Sequence, residues 1–171
     1  MRHLLRRSRL GGPTRFTFKE ALKKEPIGKA SGVTGRFKIA KSDDDKRLAF
    51  GWANVSVSAA GEQLVDWHED MIDIEELEQA GYKFVELYRE GGEMHERGGC
   101  AVLIESMVFT KEKQAALGLP EGTVPEGWWI GFYVTDDDVW EKVKSGEYPM
   151  FSIEGEAIRE PVEEPTEPAE A

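Results

Sequence analysis

Ser152, in the run Met150-Phe151-Ser152-Ile153-Glu154-Gly155, and His95, in Met94-His95-Glu96, are the residues of this chain whose types best suit covalent chemistry. A serine hydroxyl is a poor nucleophile until a positioned imidazole takes its proton. Such partners meet in space from several chain orders, so the pair points to acyl transfer by a serine hydrolase. Strand alternation around Ser152 places Phe151, Ile153, Gly155 and Ala157 on one face and Met150, Ser152, Glu154 and Glu156 on the other. Ser152 therefore points away from the more apolar side, either as a nucleophile or as an ordinary solvent-facing strand serine. His95 belongs to the glycine-rich stretch Gly91-Gly92-Glu93-Met94-His95-Glu96-Arg97-Gly98-Gly99, which places its imidazole at the mouth of a sheet rather than in its middle. That location suits a general base, although a loop histidine is more often merely solvated.

A third member would orient the imidazole. Ala101, Leu103, Glu105, Met107 and Phe109 line up on one face of an expected strand, which sets the Glu105 carboxylate among apolar neighbours. Bare burial of a carboxylate is costly, so Glu105 is expected to be paired, and orienting His95 is one such use. The alternative is a Glu105 face that borders solvent or an arginine. Glu154 and Asp70 stand behind Glu105 as candidates. His68, flanked by Asp66, Glu69 and Asp70, raises a metal site shared with His95, but no HExxH or paired-histidine spacing supports one, and no metal or cofactor is expected. Cys100, opening an apolar strand, reads as a small buried hydrophobe rather than a nucleophile. His3 lies in the N-terminal tail and carries no argument.

The elements that must position these residues alternate strand and helix. Arg36 to Lys41 and Arg47 to Val55 form a hairpin-like pair of strands across Ser42-Asp43-Asp44-Asp45. A polar loop runs from Gly61 to Asp70. Asp73 is a helix N-cap, with Ile74, Leu77, Gly81, Phe84, Val85 and Tyr88 on one face before Gly91 ends the run. Ala101 to Thr110 is a strand, followed by a loop through Gly118, Pro120, Gly122 and Pro125, and Trp128 to Thr135 is another strand. Asp136 or Asp137 caps a short helix carrying Val139, Trp140 and Val143, which Gly146 stops, and the last strand runs from Pro149 to about Ile158. The pattern predicts an α+β domain, a mostly antiparallel sheet or small β-barrel with two or more flanking helices.

Composition bounds the function. At 171 residues the chain suits one domain with tails, and its net charge of −11 argues against a general nucleic-acid binder. A lone cysteine makes no internal disulfide and fits a reducing compartment. No apolar run has the length of a membrane span, and Met1-Arg2-His3-Leu4-Leu5-Arg6-Arg7 lacks the apolar stretch of a secretory signal, leaving an organelle transit peptide as a minor option. Residues 1–35 read as a basic, disordered arm, 36–158 as the folded domain and 159–171 as an acidic, disordered Pro/Glu tail. The arm could dock on an acidic partner or be removed by processing.

The ordered series Asp66-Trp67-His68-Glu69-Asp70-Met71-Ile72, Met94-His95, Ala101-Val102-Leu103-Ile104-Glu105-Ser106, Trp128-Trp129-Ile130-Gly131 and Val143-Lys144-Ser145-Gly146-Glu147, leading to Phe151-Ser152-Ile153-Glu154-Gly155, resembles the XkdF-like serine proteases of tailed phages, grouped with prohead proteases. The resemblance covers roughly residues 36 to 158. It implies the fold of the herpesvirus assemblins, a small β-barrel surrounded by helices, with Ser152 as nucleophile and His95 as base. It implies cleavage of scaffold and major capsid protein segments, and of the protease itself, inside a portal-bearing prohead in the host cytoplasm. No membrane or specific nucleic-acid partner is implied, and homo-oligomerisation stays open. The competing reading is a catalytically silent assembly or scaffolding module in which Ser152 and His95 are incidental.

Overall fold

The computed structural model describes residues 6–10, 15–19, 38–43, 46–65 and 70–161. His68 and its neighbours Asp66, Trp67 and Glu69 lie outside the described residues. The architecture is α+β, with a curled, mostly antiparallel half-barrel sheet and three helices among the described residues.

Two strands make the middle of the sheet. β4 (Leu48–Val57) buries Ala49, Gly51, Ala53 and Val55, and β8 (Glu126–Val134) buries Trp128, Ile130, Phe132 and Val134 on the same interior. Small residues on one strand leave room for large ones on the next, which is how period-two strands interdigitate. β3 (Ile39–Asp43) pairs antiparallel with β4, as the hairpin pattern predicts. β7 (Arg97–Phe109) pairs with β8 on its other side. The strand order is β3-β4-β8-β7-β6-β2-β9, where β6 is Glu90–Glu93, β2 is Arg15–Lys19 and β9 is Met150–Glu154. Ile39 N donates to Pro149 O at 2.7 Å, so the two outer strands approach each other and the sheet curls.

The interior is filled by α1 (Ile74–Leu87), which begins at the N-cap Asp73 and buries Leu77, Ala80, Gly81 and Phe84. A Cβ on Gly81 would lie 3.1 Å from Val108 and 3.2 Å from Trp128, so glycine lets the helix sit close on the sheet. The Phe84 ring stands edge-on to Trp128, with centroids 5.7 Å apart. The helix ends at Tyr88, earlier than Gly91, because Arg89 turns out with φ 57° and Gly91 is already buried in β6. α3 (Asp137–Ser145) starts where Asp136 Oδ1 accepts from Val139 N at 3.0 Å and stops at Gly146, φ 77°, with Val139, Trp140 and Val143 buried. Its acidic first turn and basic last turn complement the helix dipole. α2 (Lys111–Ala116), capped by the Thr110 hydroxyl, occupies part of what reads in the sequence as loop. Six residues are too few to display a helical period.

The final strand departs from expectation. Instead of one strand to Ile158, the chain leaves the large sheet after Glu154 and re-enters a second one as β10 (Ala157–Pro161). There it pairs with β1 (Arg6–Leu10), which in turn pairs with β5 (Asp70–Met71). The basic arm thus contributes a strand to each sheet. No helix among the described residues is long and apolar enough to cross a membrane.

Candidate active site

His95 sits at the tip of the β6–β7 hairpin, where Glu96 N closes a turn onto Glu93 O at 2.9 Å. Met94 and His95 carry φ of 51° and 62°, the left-handed region that disfavours side chains by about 1–2 kcal/mol per residue. Strain of this kind persists where the surroundings over-determine it. Glu93, immediately before the turn, supplies that restraint. Its Oε1 accepts from Lys142 Nζ at 2.7 Å and from Tyr148 Oη at 2.8 Å, and its Oε2 from Arg97 Nε at 2.8 Å. Arg97 continues through Nη1 to Asp136 Oδ2 at 2.8 Å, and Asp136 is the α3 cap. The hairpin that carries His95 is therefore bolted to α3 and to the segment entering β9.

The electrostatics follow from these bonds. Burial pushes the Glu93 carboxyl up, but hydrogen bonds from Lys142, Arg97 and Tyr148 outweigh it and hold Glu93 at about 2. Arg97 and the backbone amide of Val139 hold Asp136 at about 2. Glu93 and Tyr148 in turn raise Lys142 above its ordinary value.

His95 Nδ1 lies 3.2 Å from Glu154 Oε2, with both side chains partly exposed. An ionised carboxylate can only accept, so with it Nδ1 donates, and in the neutral ring the lone pair then falls on Nε2, the tautomer a general base needs. Ser152 is half-buried two residues before Glu154 on β9, which puts both side chains on one side of that strand. Register locates it further. β2 aligns Ser152 with Thr17 and Gly92, and Phe151 with Phe18 and Glu93, whereas Glu154 lies further along at Arg15. No hydrogen bond joins Ser152 Oγ to the imidazole among the described residues.

Glu105 does not have the setting the alternation predicts. A bulge between Leu103 and Glu105 inverts the faces of β7, so Ala101 and Val108 are both buried while Glu105 is exposed opposite Gly131. Ala101 and Leu103 belong to the core side, Glu105 to the outer face with Met107 and Phe109. The carboxylate that the described contacts bring to His95 is that of Glu154, whose signal in the sequence is its place two residues after Ser152. Asp70 is buried in β5, paired with β1 in the smaller sheet. Cys100 is buried, and desolvation pushes its thiol up in spite of Arg97, as suits a structural residue. No group of three metal-ligating side chains forms among the described residues.

A family model described as "Putative phage serine protease XkdF" matches residues 36–160. Two curated proteins of Bacillus subtilis (strain 168) are similar to the chain. The "Uncharacterized protein YqbD" is 28% identical over 120 residues, 70% of this chain and 34% of that protein. The "Phage-like element PBSX protein XkdF" is 32% identical over 102 residues, 57% of this chain and 36% of that protein. The aligned part spans about a third of the length of either relative. No solved structure matches.

Proposed function

We propose, on the premise that this chain belongs to the XkdF phage serine protease family, that it is a serine endopeptidase of prohead maturation with Ser152 as nucleophile, His95 as general base and Glu154 as the carboxylate that orients the imidazole. The observation that carries the reading is the 3.2 Å pair between His95 Nδ1 and Glu154 Oε2, made to the same side of the strand that bears Ser152. Glu154 takes the role anticipated for Glu105, whose exposed position on β7 offers no such contact among the described residues.

In this mechanism His95 Nε2 takes the Ser152 proton as Oγ attacks a peptide carbonyl. The imidazolium, steadied by Glu154, then protonates the leaving amine, and the acyl-enzyme is hydrolysed by a water that His95 deprotonates. Substrates are segments of scaffold and major capsid protein, and of the chain itself, in the interior of a prohead in the host cytoplasm. Confinement there raises the effective concentration, so weak activity in dilute solution is expected.

A silent assembly module is the second reading, favoured by the absence of a Ser152–His95 hydrogen bond among the described residues. Catalytic hydrogen bonds in unliganded enzymes are often long and tighten with substrate, so labelling separates the two better than geometry. Intact mass against time, with and without the neighbouring capsid and scaffold proteins, should show truncation or substrate cleavage for wild type but not for Ser152→Ala or His95→Ala. Fluorophosphonate labelling should follow the same order. Three unreactive, uncleaving proteins would favour the module.

A further inference from the structure

β6 and β9 carry the two halves of the candidate site, yet they do not pair with each other. β2 lies between them, parallel to β6 through Phe16↔Gly91, Thr17↔Gly92 and Phe18↔Glu93, and antiparallel to β9 from Arg15↔Glu154 to Lys19↔Met150. The family match begins at residue 36, so β6 and β9 belong to the shared domain and β2 does not. Without β2 the shared domain would hold a gap one strand wide, about 10 Å between strand axes, with unpaired backbone donors and acceptors on both banks.

We infer that this slot is a strand-docking groove for an extended peptide and that β2 is its resident occupant in cis, a substrate-like strand that keeps the groove closed until it is displaced. The groove follows from the pairing alone; that its guest is a substrate rests on the protease reading above. Thr17 stands directly opposite Ser152, so a guest strand in the same register presents its backbone to the candidate nucleophile from the antiparallel side. Backbone pairing supplies affinity in such docking, and the alternating side chains supply selectivity. The occupant reads Arg15-Phe16-Thr17-Phe18-Lys19, and Arg15 lies at the row of Glu154. The ligand class is therefore an extended peptide that alternates cationic or small polar residues with aromatic ones, with a small residue opposite Ser152. Because β2 is tethered, its effective concentration is on the order of millimolar, and a free peptide with the same contacts competes poorly.

The test uses the full chain and a fluorescein-labelled peptide with the sequence of residues 13–21, read by anisotropy. Thr17→Pro removes a ladder donor from β2 and should bind the peptide at least tenfold more tightly than wild type. Equal binding by the two proteins, or none by a folded Thr17→Pro protein, overturns the groove. Should Thr17→Pro fail to fold, the double variant Lys19→Cys/Met150→Cys decides: oxidised, its locked β2 should bind at least tenfold more weakly than the reduced form, and equal affinities overturn the proposal. Fluorophosphonate labelling of the same proteins reads the nucleophile separately. Peptide binding without labelling leaves the groove standing and removes the protease reading, and labelling without peptide binding does the reverse.

Discussion

The two limbs of the seven-stranded sheet are built differently. The β4–β8–β7 limb consists of strands of 10, 9 and 13 residues that adjoin through antiparallel ladders and bury Trp128, Ile130, Phe132 and Val108 against α1. The β6–β2–β9 limb consists of strands of 4, 5 and 5 residues drawn from distant parts of the chain. Its hairpin packs Met94 against the core and adds a network of ions and hydrogen bonds through Glu93, Arg97, Lys142, Tyr148 and Asp136. The candidate site falls on the second limb. A rigid apolar scaffold can carry a short, strained, polar edge whose pairing is open to change, which is where low local stability is useful.

Substitutions should separate the limbs. The largest effect is expected from Phe84→Ala, which empties a fully buried site between α1 and Trp128 and should cost about 3–5 kcal/mol in denaturant unfolding. Equal loss of stability from any substitution on the β6–β2–β9 limb would erase the contrast. Next comes Glu93→Ala, which removes the carboxylate shared by Lys142, Tyr148 and Arg97 and leaves Arg97 with Asp136 and Lys142 with the Tyr148 hydroxyl. It should cost about 2–3 kcal/mol and also release the Met94-His95 turn, seen as a shift of the His95 ring signals in NMR spectra. Asp136→Ala removes the α3 cap and the Arg97 partner, for about 1–2 kcal/mol.

The same network also answers to acid. Glu93 falls from an ordinary 4.5 to about 2 on folding, so the folded state holds fewer protons than the unfolded one in this range. The stability it supplies is complete above about pH 4.5 and is lost as pH falls toward 2. Asp136, lowered from 3.8 to about 2, adds in the same direction. Glu93→Gln should therefore flatten the stability profile between pH 4.5 and 2 relative to wild type, and an unchanged slope would detach Glu93 from the network.

Much of the scaffold limb is legible in the residues. Asp73 and the Leu77, Gly81, Phe84 spacing fix α1, while Asp136, Val139, Trp140, Val143 and Gly146 fix α3 with both ends capped. The alternation in β4 and β8 is likewise local. Between the two settings open to Glu105, the solvent-facing one holds for a reason equally local in origin: one extra residue in β7 inverts every later side chain, and no composition signal marks the bulge. The short α2 and the break at Gly155 between β9 and β10 are similarly below the length at which periodicity speaks.

By itself, the sequence determined the residue types able to do serine chemistry, the α+β pattern and the acidic net balance, because caps, periods and charge are properties of neighbours along the chain. Only the tertiary structure decided that Glu154 rather than Glu105 meets His95, that α3 restrains the hairpin through Glu93, and that β2 fills the slot beside Ser152. Those contacts join segments tens of residues apart, and they are selected by the register and curl of the whole sheet, which no local window contains.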